Sequence, residues 1–150
     1  MRTSFTSLVI VLLAIAGAAH AAAPIKAGAL DTQTQANAVA EALQSVVKVQ
    51  GAVADYRKTH DGFPANNAEA GVAAPVMYAS NAVKGVAVGP DGIIDVTLTA
   101  ASGVDGGVIR FRPEFVPQSG AGDVHWTCST ASYANIGDLT GGSCEHTSQP

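Results

Sequence analysis

Cys128 and Cys144 are the two cysteines of this chain, 16 positions apart, and their spacing limits what they can do. They can close a loop as a disulfide or offer two thiolates to a metal. Structural zinc takes about four protein ligands, and no histidine and cysteine cluster of that spacing accompanies them. The four histidines are His20, His60, His125 and His146. No two of the last three share a ligand-like spacing on one element, so they read as surface residues. A Gly-x-Ser-x-Gly elbow, a His-Glu-x-x-His pair and a Cys/His nucleophile are all missing from the sequence. The glycine-rich stretches 103–107 and 119–122 have no following helix and no lysine to cradle a phosphate, so they read as turns. Asp61-Gly62 and Asp91-Gly92 are turn pairs too, since neither opens a calcium loop with a terminal glutamate. The sequence therefore offers no catalytic, cofactor-binding or metal residues. Asp95 can pair with Arg110 and Arg112 across strands, and Trp126, the single tryptophan, shares a strand face with Val124 and Cys128 and reads as core.

The chain has 150 residues, enough for one domain. Its residues are 47% hydrophobic but only 5% aromatic, so the core is built from small side chains. The formal charge is −4 with the basic residues scattered, which leaves no electrostatic footprint for nucleic acid. Residues 1–21 read as an export signal: Arg2, an apolar run at 8–19, and Ala19-His20-Ala21 as a small-x-small cleavage site. A twelve-residue run spans only ~18 Å as a helix, short of the ~30 Å of a bilayer core. The expectation is a mature domain of residues 22–150 carrying seven basic and twelve acidic groups, net −5, with no stable membrane anchor. Outside the cytoplasm Cys128 and Cys144 are expected to be oxidised to each other.

Positioning these residues falls to a small set of elements. Val39, Leu43, Val46, Val49, Val53 and Tyr56 recur at steps of 4, 3, 3, 4 and 3, which puts them on one side of a helix over residues 33–60. Asp31, Thr32 and Gln35 mark its start as a capping box, and Gly62 and Pro64 its end. After a loop over residues 65–80 the period changes to two. Strands over 83–88 and 93–98 flank the turn Gly89-Pro90-Asp91-Gly92, with Ile94, Val96 and Leu98 inward and Asp95 and Thr97 outward. A third strand carries Ile109 and Phe111 and closes at Pro113, and a fourth carries Val124, Trp126 and Cys128. The fold class is α+β: one long N-terminal helix packed on an antiparallel sheet of about four strands, then a disulfide-closed C-terminal loop.

The order of these elements, and words within them, resembles the globular region of type IV pilins. AVADYRKTHDGFPANNAEAG over residues 52–71 looks like that family's helix end and following loop. YASNAVKGVAVGPDGIIDVTL over 78–98 is similar to its first hairpin, and IRFRPEFVPQSGAGDVHWTCS over 109–129 to its third strand, proline-containing loop and Trp-x-Cys strand. Cys128 and Cys144 fall where the family's C-terminal loop is closed. The family begins with a basic leader ending in glycine, followed by a Phe-initiated apolar helix with glutamate at its fifth position. Here Gly17 is followed by Ala18-Ala19-His20-Ala21, and the export signal stands in place of that polymerisation helix. The resemblance implies a pilin head, non-enzymatic and belonging to the type IV pilus or a related secretion system, exported to the periplasm or the cell surface. Its partners would be pilus subunits or assembly components, or it would act in adhesion, docking through the side of the helix that carries Ala36, Ala40 and Val47. The alternative is a periplasmic domain that binds a small molecule or glycan on the same fold.

Overall fold

A computed structural model of the chain describes residues 27–117 and 123–148; the predicted export signal lies outside them. Helix α1 covers Ala27–Thr59 without a break at Asp31 and Thr32. The predicted capping box is thus interior to the helix: Ala27, Ala29 and Leu30 are strong helix formers, and a local cap does not end a helix whose flanking residues favour it. Val39, Val46, Val49 and Val53 of the predicted stripe are buried, together with Ala38 and Ala42, while Leu43 packs against the core and Tyr56 is half-buried. Alanines in that face let the helix approach the sheet closely.

The helix end is closed by side chains rather than by a left-handed glycine, since Gly62 does not adopt a positive φ. Thr59 Oγ1 donates to the Tyr56 carbonyl at 3.2 Å, and the His60 ring stacks on Tyr56 with centroids 3.8 Å apart. Arg57 donates to the His60 carbonyl at 2.7 Å and lies 4.2 Å from the centre of the Phe115 ring, so the last turn is tied to the sheet by a cation–π contact.

Five strands form one sheet in chain order: β1 (Val83–Val88), β2 (Ile94–Leu98), β3 (Val108–Val116), β4 (Asp123–Thr130) and β5 (Glu145–His146). The first four run antiparallel as predicted. The prediction of a purely antiparallel sheet of about four strands is corrected by β5, which pairs in parallel with Ser129 and Thr130. Two residues are too few to show a period of two. The Cys128–Cys144 disulfide, with Cα atoms 4.5 Å apart, carries β5 to the edge of β4. The loop it closes also contains a short helix, α2 (Ile136–Thr140), which seats Ile136 in the core.

Strand β3 also runs past Pro113, where the prediction ended it. Its pairing with β2 stops at Phe111, so Pro113 sits where β3 has a neighbour on one side only, the setting in which strand prolines are tolerated. The β1–β2 turn matches its sequence signal: Asp91 and Gly92 both take positive φ, 58° and 70°. A side chain on Gly92 would meet Phe63 Cβ at 2.8 Å and Val53 Cγ1 at 3.0 Å, and its N–H donates to the Pro64 carbonyl at 2.9 Å. The turn is thereby locked against the loop that follows α1.

Two buried polar clusters hold loops to this frame. Asn67 spans the edge of β1: its Nδ2 donates to the Ala73 carbonyl at 2.7 Å and the Val86 carbonyl at 3.0 Å, and its Oδ1 accepts from the Val88 N–H at 2.7 Å. One side chain thus takes the place of a neighbouring strand. Tyr133, 1% exposed, shares a 2.6 Å hydrogen bond with Ser102, joining the disulfide loop to the β2–β3 connection. Gln35 links the same two regions to α1, donating to the Ser102 carbonyl at 3.1 Å and accepting from Asn135 at 2.9 Å.

Candidate interaction surface

The side chains singled out for chemistry can now be placed, apart from His20 and the stretch 119–122, which lie outside the described residues. Asp95 and Arg110 sit directly opposite each other on β2 and β3 and form a bidentate pair, both distances 2.7 Å. Each is about a third exposed or less, and the hydrogen bond to Asp95 raises the Arg110 pKa above its ordinary value. Arg112, two residues on, is exposed and does not join them. Lys84 and Asp105 make a second surface pair at 2.8 Å. These two pairs place matched charges on the surface of the sheet.

The described histidines lie apart. His60 is committed to the end of α1, His125 is exposed on β4, and His146 is exposed on β5. Among the described residues no group of three His, Cys, Asp or Glu side chains converges as a metal site would require. Cys128 and Cys144 are bonded to each other. Trp126 is half-buried at the margin of the core rather than deep in it, because α1 packs on β1 and β2 and leaves the helix side of β4 partly uncovered. Tyr133 and Ser102 are the one close pair of buried hydroxyls described; burial raises the tyrosine pKa, and their hydrogen bond holds the disulfide loop to the β2–β3 connection.

What the surface does offer is exposed apolar area, in two places. On α1, Val47 is 61% exposed, flanked by exposed Ala40, Gln44 and Gly51 at helical spacing, so a low-charge strip runs along the side opposite the buried valines. Ala36, placed beside it from sequence, is half-buried. The second place is the single 3₁₀ turn Pro75–Tyr78, where Val76 and Met77 are 67% and 73% exposed. That turn leans on β1 so tightly that a side chain on Gly85 would meet the Pro75 carbonyl at 2.9 Å. An open groove of about 360 Å³ beside it is lined by Asn67, Val72, Pro75 and Val88, with no charged group. Sequence reasoning read this region only as loop. Its signal was the run of apolar residues from 72 to 79, which has neither helix nor strand period.

The whole arrangement of long helix, meander sheet and C-terminal disulfide loop falls within one family comparison. The model of the pilin family, a bacterial filament protein, matches residues 17–144 and so ends on the second cysteine of the bridge. No curated protein matches the chain.

Proposed function

The chain belongs to the pilin family, structural proteins of bacterial filaments, and from that premise we propose that it is an exported, non-enzymatic pilin head that docks onto pilus subunits or assembly components. The observation that carries the reading is Val47: a branched apolar side chain 61% exposed on a helix whose opposite side is sealed by Val39, Val46, Val49 and Val53. Nothing in the core requires an apolar residue there. With Ala40 and Gly51 in the same strip, a neighbouring helix can approach closely, since small residues admit a short interaxial distance. The described residues contain no helix long and apolar enough to cross a membrane, and the expected cut near Ala22 would leave the head to associate through this strip. Adhesion at the cell surface is the other role open to such a head.

The test is affinity capture from envelope extracts of the native host with the full chain and with Val47→Glu. Pilus or secretion components retained by the first and lost by the second support the proposal. Equal recovery by both, or no such component with either, sinks it. N-terminal sequencing of the protein from fractionated cells decides the expected cleavage separately, since a soluble form beginning near Ala22 and a membrane form beginning at Met1 are mutually exclusive outcomes.

A further inference from the structure

The two edges of the sheet are finished differently. The outer edge of β1 is blocked, by the Asn67 amide at Val86 and Val88 and by the Pro75 turn at Gly85. Among the described residues, the outer edge of β4 is blocked only at its end, where β5 pairs with Ser129 and Thr130. The Thr147 N–H donates to the Thr130 carbonyl at 2.9 Å, which fixes the phase of the strand: the backbone groups of Thr130 face outward. Because a strand alternates with period two, those of Cys128, Trp126 and Val124 face outward as well. β5 lies alongside the first of these. The N–H and C=O groups of Trp126 and Val124 have no protein partner among the described residues. An uncovered edge is a template for another strand, and sheet proteins ordinarily disguise it.

We propose that this edge is a pairing site for a second copy of the chain, the two β4 strands joining antiparallel about a two-fold axis at His125. The commitment to a second copy rests on self-complementarity. Opposed residues must lie on the same face, so only a few registers exist. Setting Val124 against Trp126 of the second copy, and Trp126 against its Val124, makes four hydrogen bonds and uses all four open groups of each molecule. Shifting by one pair either way sets one residue against itself and leaves Val124 or Trp126 without its match. The favoured register also sorts the side chains. On the helix side the opposed pairs are Val124 with Trp126, an aromatic and a β-branched residue of the kind that stabilises adjacent strands. Both are half-buried in the single molecule, because α1 packs chiefly on β1 and β2 and only its C-terminal end reaches β4. On the outer side Asp123 faces Thr127, and His125 faces its own copy. The end of α1 reaches β4, where Ala54 and Lys58 line a shallow pocket with Asp123, Val124 and His125, so the last turns of the two helices would flank the junction. This pairing is independent of the helix strip proposed above and uses a different part of the molecule.

The register makes a sharp prediction for cross-linking. At a pair that does not exchange hydrogen bonds, opposed Cα atoms lie about 4.5 Å apart, and His125 is such a pair with itself. Thr127, equally exposed on the same face, would stand four residues out of register with its copy, roughly 13 Å away at ~3.4 Å per residue. His125→Cys and Thr127→Cys, made in the full chain and treated with a short bis-maleimide, leave the Cys128–Cys144 disulfide untouched. The expected result is a covalent dimer with the first variant at least tenfold more abundant than with the second. Equal yields from the two, or no dimer from His125→Cys at millimolar protein, would overturn the proposal; so would capture of that cysteine only by a strand of another protein. Val124→Pro supplies the second arm, since it removes an outward N–H without touching the β3 ladder. Sedimentation should show the self-association of the native chain lost while the circular dichroism spectrum is kept. Unchanged association in a folded Val124→Pro variant would also overturn it.

Discussion

Replacing Asn67 by alanine tests whether a single side chain finishes the β1 edge. The substitution leaves three backbone groups without their partner: the Ala73 carbonyl, which is exposed and recovers water, and the Val86 carbonyl and Val88 N–H, which belong to residues 0% and 6% exposed. Each buried group left unpaired costs about 1–3 kcal/mol, so the loss is about 3 kcal/mol in total. For a domain of this size that corresponds to a fall in Tm of about 12 °C. The assay is urea and thermal unfolding of the oxidised protein by circular dichroism, with hydrogen exchange at the Val88 amide as the local readout. Asn67→Asp sharpens it. The carboxylate can still accept from Val88, but its other oxygen would face two carbonyls and must be protonated to donate. Its folded-state pKa is therefore raised above the ordinary ~3.9. The stability contribution of the acid form is full below that unfolded value and is lost as pH rises through the folded one. The aspartate variant should approach the native protein near pH 3 and be at least as weak as alanine at pH 7. A loss below ~1 kcal/mol in Asn67→Ala, with Val88 exchange unchanged, would refute the argument that this amide replaces a strand.

Two further predictions follow from the loop beyond β4. Removing both cysteines by Cys128→Ala with Cys144→Ala should cost about 3 kcal/mol on the loop-entropy model for a closure of this length, and should expose the Thr147 amide, which bonds to Thr130, to exchange; identical melting of the two proteins would contradict it. Burial raises the Tyr133 pKa above tyrosine's ordinary 10.0, and the Ser102 hydrogen bond opposes it only in part. The protonated ring stabilises the fold fully below pH ~10 and less as pH rises through the shifted value. Tyr133→Phe should flatten that alkaline decline in urea titrations while costing about 1 kcal/mol near neutrality, and an undiminished decline would show that another group causes it.

How far the sequence carries depends on whether a feature is written in neighbouring residues. The valine stripe of α1 and the strand alternation of β1 and β2 are local patterns with the right periods, and both are legible to within a residue or two. Asp91-Gly92 names its own turn because few residue pairs accept successive positive φ values. The features that escaped depend on partners far away in the chain. β5 exists because the disulfide delivers two residues to an edge already built, so nothing in Glu145-His146 announces it. Pro113 ends a strand only where a neighbour needs the N–H that proline lacks, and the β2–β3 pairing has already stopped at Phe111. Asn67 sits in a polar stretch typical of loops, and its bonds reach 19 and 21 residues ahead. The candidate surface was legible in part. Val47 is visible as an apolar residue off the stripe, but the exposure of Val76 and Met77 follows from how their turn leans on β1.

Because β1 to β4 stand side by side in the order in which they are synthesised, each strand finds its neighbour already made, and the sheet can grow one hairpin at a time. The helix comes first yet is covered late: Val53 is made 30 residues before Val83, the first residue of the first strand in its core. Until then its apolar side is open to whatever holds nascent chains apart. Both cysteines come within the last 23 residues. The covalent bond joins β4 to a segment that is made after all four antiparallel strands, and with two cysteines in this sequence neither meets a competing thiol in it.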